Sequence, residues 1–353
     1  MFALFNKKAA VMLGVDIGSS AVKLVALTKV KGRLMLEGYA VVGLPSTAVV
    51  DGHLQEMGAV SDAIEKGVKI CNAKLNKAIT SVPSSAVIIK RLELSNAYTE
   101  AELEDQIKVE ADQFIPYPLD EVAIDFEIQG SYEANPDLNQ ILLVACRNND
   151  VIQREAALSS ANLTCDIVDV DTFAIERLLS FLQRVDMDPE ALIASVDIGA
   201  STLTINVMQG GDIIYNREQN FGSNELINAI HVQFGMTVEE VEQSFRLGEL
   251  SMEIEAMLIE PFRMTIAQQV SRALQFYYSS NVQSQLSKIY LSGGCVSIKG
   301  LCDVLQEEVE IAVEVANPFG DMEVQPKINR ERLERDAPIL GKAFGLALRY
   351  FES

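Results

Sequence analysis

Asp16-Ile17-Gly18-Ser19-Ser20 places an acid, a glycine and two hydroxyls between apolar runs. Such a turn can meet phosphate. Gly18 lets backbone approach closely, Ser19 and Ser20 offer hydroxyl and amide donors, and Asp16 can hold a hydrated Mg²⁺. Aspartate-glycine turns also join ordinary hairpins, so a single copy decides nothing. A second copy, Asp197-Ile198-Gly199-Ala200-Ser201-Thr202, follows about half a chain later with Val-Asp-Ile-Gly kept in register. A duplicated α/β domain would repeat its first hairpin, but it has no reason to keep acid, glycine and hydroxyl together. Two facing turns could clamp one polyphosphate and share one Mg²⁺, held through water by Asp16 and Asp197. A third turn, Ser292-Gly293-Gly294-Cys295, offers backbone without Cβ on which a flat ring could lie, or it is a plain tight turn.

Regular elements must hold these turns. Strands are expected over 11–16, 21–29 and 33–42, then a helix over 56–75 with Met57, Val60, Ile64, Val68 and Cys71 on one face, then a strand over 78–82. Residues 191–197, 202–209, 212–219 and the helix 224–234 repeat that β-β-β-α opening. Between the copies, 84–162 reads as an inserted α+β subdomain: a strand over 87–94 and a helix opened by the capping box Thr99/Glu102 and broken by Pro116 and Pro118. Strands near 122–129 and 140–146 and a helix over 149–161 complete it. A strand over 163–170 and a helix over 172–185 lead to Pro189, taken as the lobe boundary. The second lobe adds the capping box Thr237/Glu240, a helix over 262–280 striped by Ile266, Val270, Leu274 and Tyr277, and a helix from Ser297. A helix over 338–348 closes the chain, with Gly341 and Gly345 permitting close packing. The expected division is 1–83 with 163–189 and 336–353, the insert 84–162, and 190–335 with a helical subdomain near 224–286.

The chain has 353 residues and a net charge of −21, which argues against sequence-independent nucleic-acid binding and against docking on anionic lipid. A basic protein partner, or solubility, suits that charge better. Five scattered cysteines without C-x-x-C spacing suggest reduced thiols in a cytosol. His53 and His231 lack metal-ligand or triad spacing. No stretch approaches the ~20 apolar residues of a membrane span. Phe2 to Lys8 is too short for a signal peptide and reads as a disordered leader, or as a weak contact to a membrane or partner.

Three glycine turns on a twice-repeated β-β-β-α-β order resemble the actin/Hsp70/hexokinase-type ATPase fold, a duplicated, ribonuclease H-like α/β architecture with two lobes around a nucleotide cleft. The resemblance implies phosphate loops at Asp16, Gly18, Ser19 and Ser20 and at Asp197, Gly199, Ala200, Ser201 and Thr202. It makes Lys23 a phosphate-contacting lysine, with Thr204 at the equivalent place in the second loop. It puts Glu242, Gly293, Gly294 and Gly341 on the adenosine side. Phe245 stands where the superfamily often has lysine, followed by Arg246, so either Arg246 substitutes or adenosine contact is reduced.

Within that superfamily the whole chain is similar to the PilM family of actin-like type IV pilus assembly proteins. The most specific stretch is Gln106-Ile107-Lys108-Val109-Glu110-Ala111-Asp112-Gln113-Phe114-Ile115-Pro116-Tyr117-Pro118-Leu119-Asp120-Glu121, running on to Phe126. Gln268 to Phe276 and Asn317-Pro318-Phe319 support it. The insert resembles the extra subdomain of the cell-division protein FtsA. The likeness implies a cytoplasmic scaffold that binds ATP or ADP with Mg²⁺. It would be recruited to the inner membrane by the N-terminal cytoplasmic tail of PilN, in a groove between the first lobe and the insert, and so linked to PilO and PilP. Self-association is left open. Asp169, Asp171, Thr172 or Glu176 could orient water for hydrolysis, but a helix-capping cluster is the favoured reading, and turnover is expected to be slow or negligible. A filament protein and a small-molecule phosphotransferase are the alternatives. No acid follows the second loop as a kinase would need, and FtsA has a C-terminal membrane helix where this sequence stops soon after Gly345.

Overall fold

The computed structural model describes residues 11–71, 76–132, 134–183, 188, 190–280 and 285–351. The leader, Pro189, and the expected helix ends at 72–75 and 184–185 lie outside the described residues, as does the Arg246 side chain.

Val11–Ile17 pairs antiparallel with Ala21–Val30, which pairs with Arg33–Gly43. The strand alternation that predicts this triplet also buries it: Leu13, Val15, Val22 and Leu24 are closed to solvent. On the other side of Val11–Ile17 lie two parallel strands, Lys77–Val82 and then Thr164–Val170. The second sheet repeats the order. Asp212–Asn220, Thr202–Gln209 and Ile193–Ile198 form the antiparallel triplet, followed by the parallel strands Lys288–Ser292 and Val313–Val315. Both turns therefore leave the same place in equivalent sheets.

The strands expected over 87–94, 122–129 and 140–146 form a third sheet, with Asn135–Arg147 between Val87–Ser95 and Val122–Tyr132, while helix Asn148–Ser160 places Ala157 and Leu158 in the core of the first sheet. Helix Glu100–Asp112 covers the third sheet through Leu103 and Ile107, and the Thr99/Glu102 capping box is present. The hairpin ladder runs farther than apolar patterning suggests, because backbone pairing continues through polar Gln140, Asn139 and Ser131.

Other boundaries moved for identifiable reasons. Gly294–Ser297 is a short 3-10 turn, and the helix begins only at Leu301 because Gly300 adopts φ +75° ahead of it. Pro338 sits in a 3-10 turn, so the last helix is Gly341–Leu348. The stripe on Glu260–Ser280 is core, with Ile266, Val270, Leu274 and Tyr277 all buried.

Helices Asp171–Gln183 and Gly341–Leu348 join the two sheets. Leu178, Leu340 and Phe344 pack in one core with Val25 and Leu36 of the first sheet and Ile193 and Met208 of the second. A Cβ on Gly345 would strike the carbonyl of Ala174, and one on Gly14 the carbonyl of Ala343, so these backbones touch. Among the described residues, no helix is long and apolar enough to cross a membrane.

Candidate functional site

A cleft of about 700 Å³ is lined from both sheets. Its volume lies in the range that holds a small organic ligand. Asp16, Gly18, Ser19, Ser20 and Lys23 line it from the first turn, and Asp197, Gly199, Ala200 and Thr202 from the second. Ser201 is not part of the lining, but its Oγ lies 3.1 Å from Ser19 Oγ, joining the two turns directly. Far apart in sequence, the paired motifs meet hydroxyl to hydroxyl.

Each acid is held by its own partner. Lys23 faces Asp16 across the antiparallel register, and its Nζ donates to Oδ2 at 2.9 Å. Burial works to raise the Asp16 carboxyl, but Lys23 and Lys342 outweigh it and hold the pKa below its ordinary value. Thr204 faces Asp197 in the equivalent register, so the second turn brings no lysine of its own. Asp197 instead accepts from Ser292 Oγ at 2.9 Å, which ties the second turn to the third.

Helix Ser223–Phe234 supports the second turn from behind, with the Ser223 and Asn224 amides donating to the carbonyls of Gly199 and Ala200. Glu242, Phe245, Gly293, Gly294 and Gly341 also line the cleft. Gly293 adopts φ +95°, and its missing Cβ leaves room for the Ile198 backbone, while a Cβ on Gly294 would meet open space. Gly341 lines the cleft, and a Cβ there would approach Leu178 Cδ2 to 2.7 Å, the close packing expected of it.

The residues present fit a magnesium nucleotide. Asp16, Asp197, Lys23, Lys342, Ser19 and Ser20 line one cleft together with Gly293, Gly294 and Gly341. Mg²⁺ is commonly bound by one or two carboxylates, with water and substrate phosphates completing its shell. Asp16 and Asp197 could supply such a pair.

The three acids near the connecting helix separate. Asp169 pairs with Arg177 at 2.7 Å, and Glu176 accepts from the Ile213 amide at 3.0 Å. Asp171 begins its helix, yet its carboxylate accepts from Ser81 Oγ at 2.6 Å and from Lys342 Nζ at 3.1 Å. The side-chain bonds of all three therefore differ from a simple capping cluster. Thr172 and Ser84 pair through their hydroxyls.

Lys342 is the residue that sequence reasoning missed. A lysine alone in the apolar run Gly341-Lys342-Ala343-Phe344-Gly345-Leu346 was the available signal. His53 contacts Asp150 and His231 contacts the Met236 carbonyl; neither lines the cleft. The five cysteines are free thiols.

The family described as Type IV pilus assembly protein PilM matches residues 14–351. Among solved structures the chain is similar to the PilM-PilN type IV pilus biogenesis complex. The identity is 26% and the TM-score 0.78, covering 96% of this chain and 98% of that one. Ethanolamine utilization protein EutJ from Carboxydothermus hydrogenoformans shares the fold at 14% identity and TM-score 0.57, covering 96% of this chain and 89% of that one. The two equivalent sheets are those of the duplicated actin-like ATPase fold. A family match that starts within the first strand and runs through the last helix leaves one assignment: this chain belongs to the PilM family of type IV pilus assembly proteins.

Proposed function

We propose that the protein is an ATP-binding scaffold of type IV pilus assembly, a reading carried by the two Asp-Ile-Gly turns that meet at Ser19 and Ser201. Asp16, Gly18, Ser19, Ser20 and Lys23 take the phosphates from one side, and Asp197, Gly199, Ala200, Ser201 and Thr202 from the other. Mg²⁺ is held through water by Asp16 and Asp197. The adenosine lies against Glu242, Gly293, Gly294 and Gly341. Turnover is slow or negligible, because the acids nearest the connecting helix are already engaged by Arg177, Ser81, Lys342 and the Ile213 amide.

The partner is the N-terminal cytoplasmic tail of PilN, in keeping with the similarity to a PilM-PilN complex. It binds between the first lobe (1–83, 163–189 and 336–353) and the insert 84–162, with 190–335 as the second lobe. Through PilN the scaffold sits at the cytoplasmic face of the inner membrane and connects to PilO and PilP. An extended tail binds by backbone pairing and side-chain pockets, and the charge of −21 favours a basic one.

Calorimetric titration with a synthetic PilN N-terminal peptide, with and without Mg-ATP, tests both halves. Saturable 1:1 binding of peptide and of Mg-ATP is expected. Absence of peptide binding in either condition would remove the scaffold reading, and absence of Mg-ATP binding would remove the nucleotide reading.

A further inference from the structure

Lys342 is the only charged residue on helix Gly341–Leu348, whose Ala343, Phe344, Leu346 and Ala347 are buried apolar core. An ammonium in such surroundings is costly unless opposite charge meets it. Lys342 Nζ reaches Asp171 at 3.1 Å, and about 25% of the side chain remains exposed where it lines the cleft. Burial alone would lower its pKa, yet Asp171, Asp16 and Asp197 together hold it well above the ordinary value. One ammonium thus answers three carboxylates, two of them the acids of the twin turns.

Its position is fixed by backbone contact. Gly345 lies against the Ala174 carbonyl and Ala343 against Gly14, so the helix cannot slide along the first sheet. The second turn lacks a lysine of its own, since Thr204 stands opposite Asp197 where Lys23 stands opposite Asp16, and Arg335, which also lines the cleft, pairs with Asp336 at 3.8 Å.

We propose that Lys342 is the second phosphate-binding cation of this cleft, supplied by the C-terminal helix to the side where Thr204 brings none. On binding of a nucleoside triphosphate it passes from Asp171 to the terminal phosphate oxygens. This rests on the nucleotide reading of the cleft. Asp171 keeps its Ser81 hydroxyl when the lysine leaves, so the exchange does not strand a bare carboxylate. Phosphate is the stronger competitor because it carries more charge and accepts several donors.

The test is calorimetry of full-length protein with Mg-ATP, Mg-ADP and AMP, alongside thermal unfolding without ligand. Lys342→Met should weaken Mg-ATP binding by about 10- to 100-fold, the worth of one charge-assisted hydrogen bond, and change AMP binding by no more than about 3-fold. Lys342→Arg should restore most of the loss. Asp171→Asn should tighten Mg-ATP binding, because the competing carboxylate is gone, and this gain should vanish in the Lys342→Met background.

A purely structural ion pair would lower the melting temperature in both single variants and leave the ATP-to-AMP affinity ratio unchanged; that result overturns the proposal. Should Lys342→Met fail to fold, Asp171→Asn decides alone, and unchanged or weakened Mg-ATP affinity counts against Lys342. Wild-type protein that binds no nucleotide would sink the cleft reading itself, a separate outcome.

Discussion

Asp16 is both a cleft acid and one half of a buried ion pair with Lys23. Its carboxyl is depressed in the folded state, so ionised Asp16 favours folding at neutral pH. That contribution is complete above the unfolded-state pKa of about 4 and disappears as pH falls through the lower folded value. Asp16→Asn should therefore flatten the acid limb of a melting temperature against pH curve below about pH 4. A limb as steep as wild type would show that other carboxylates govern acid unfolding. The same variant, and Asp16→Ala, should lose Mg-ATP affinity by about 10-fold or more while far-UV circular dichroism stays native. Asp16 was legible from its turn and Lys23 from the family resemblance, and the structure pairs them because both sit on one hairpin, where register brings positions seven apart face to face. Lys342 was not, since only tertiary packing of the last helix carries it to the cleft, and nothing in its local pattern names Asp171 as its partner.

Elements with a local cause were readable in the chain. Alternation gave the two strand triplets, and Thr99/Glu102 and Thr237/Glu240 gave helix starts that the structure reproduces as reciprocal capping boxes. Elements made by pairing were not. Val313–Val315 and Glu323–Val324 exist because a neighbouring strand offers its edge, and segments of that length carry no periodicity to detect. The glycines of the helices illustrate the same division. Gly58, at the start of helix Met57–Cys71, has open space where a Cβ would go, whereas Gly345 meets the Ala174 backbone. Gly58→Ala should be neutral or stabilising by up to about 1 kcal/mol. Gly345→Ala should cost about 1–3 kcal/mol, because backbone cannot yield as a side chain can. Urea denaturation of the two variants measures the contrast. Equal midpoints would mean that the helix Gly341–Leu348 is not held by that contact.

The duplicated architecture was visible as a repeated motif, yet the link between the cleft and helix Asn148–Ser160 emerges only from the folded whole. Lys342 bonds Asp171, Asp171 bonds the Ser81 hydroxyl, and the Ser81 carbonyl accepts Arg154 Nε at 2.5 Å. Arg154 is 2% exposed and donates at 2.9 Å to the carbonyls of Asp150 on its own helix and of Gly52, fastening helix Asn148–Ser160, whose Ala157 and Leu158 lie in the core of the first sheet. Burial pushes the Arg154 guanidinium down, and Asp171 and Asp150 push back, so the charge that holds Lys342 is also felt at helix Asn148–Ser160. A bonded series is only a route; coupling requires that a ligand at one end change the other. Hydrogen exchange reads this directly. Mg-ATP should alter amide exchange in helix Asn148–Ser160 by about 3-fold or more, within the range of ordinary allosteric coupling. Ser81→Ala, which removes the hydroxyl bond to Asp171 and keeps the carbonyl bond to Arg154, should blunt that response with little change in nucleotide affinity. If the wild-type helix exchanges at the same rate with and without Mg-ATP, cleft and helix are energetically separate, and any nucleotide control of partner binding must travel through the shared core of Leu178 and Phe344 instead.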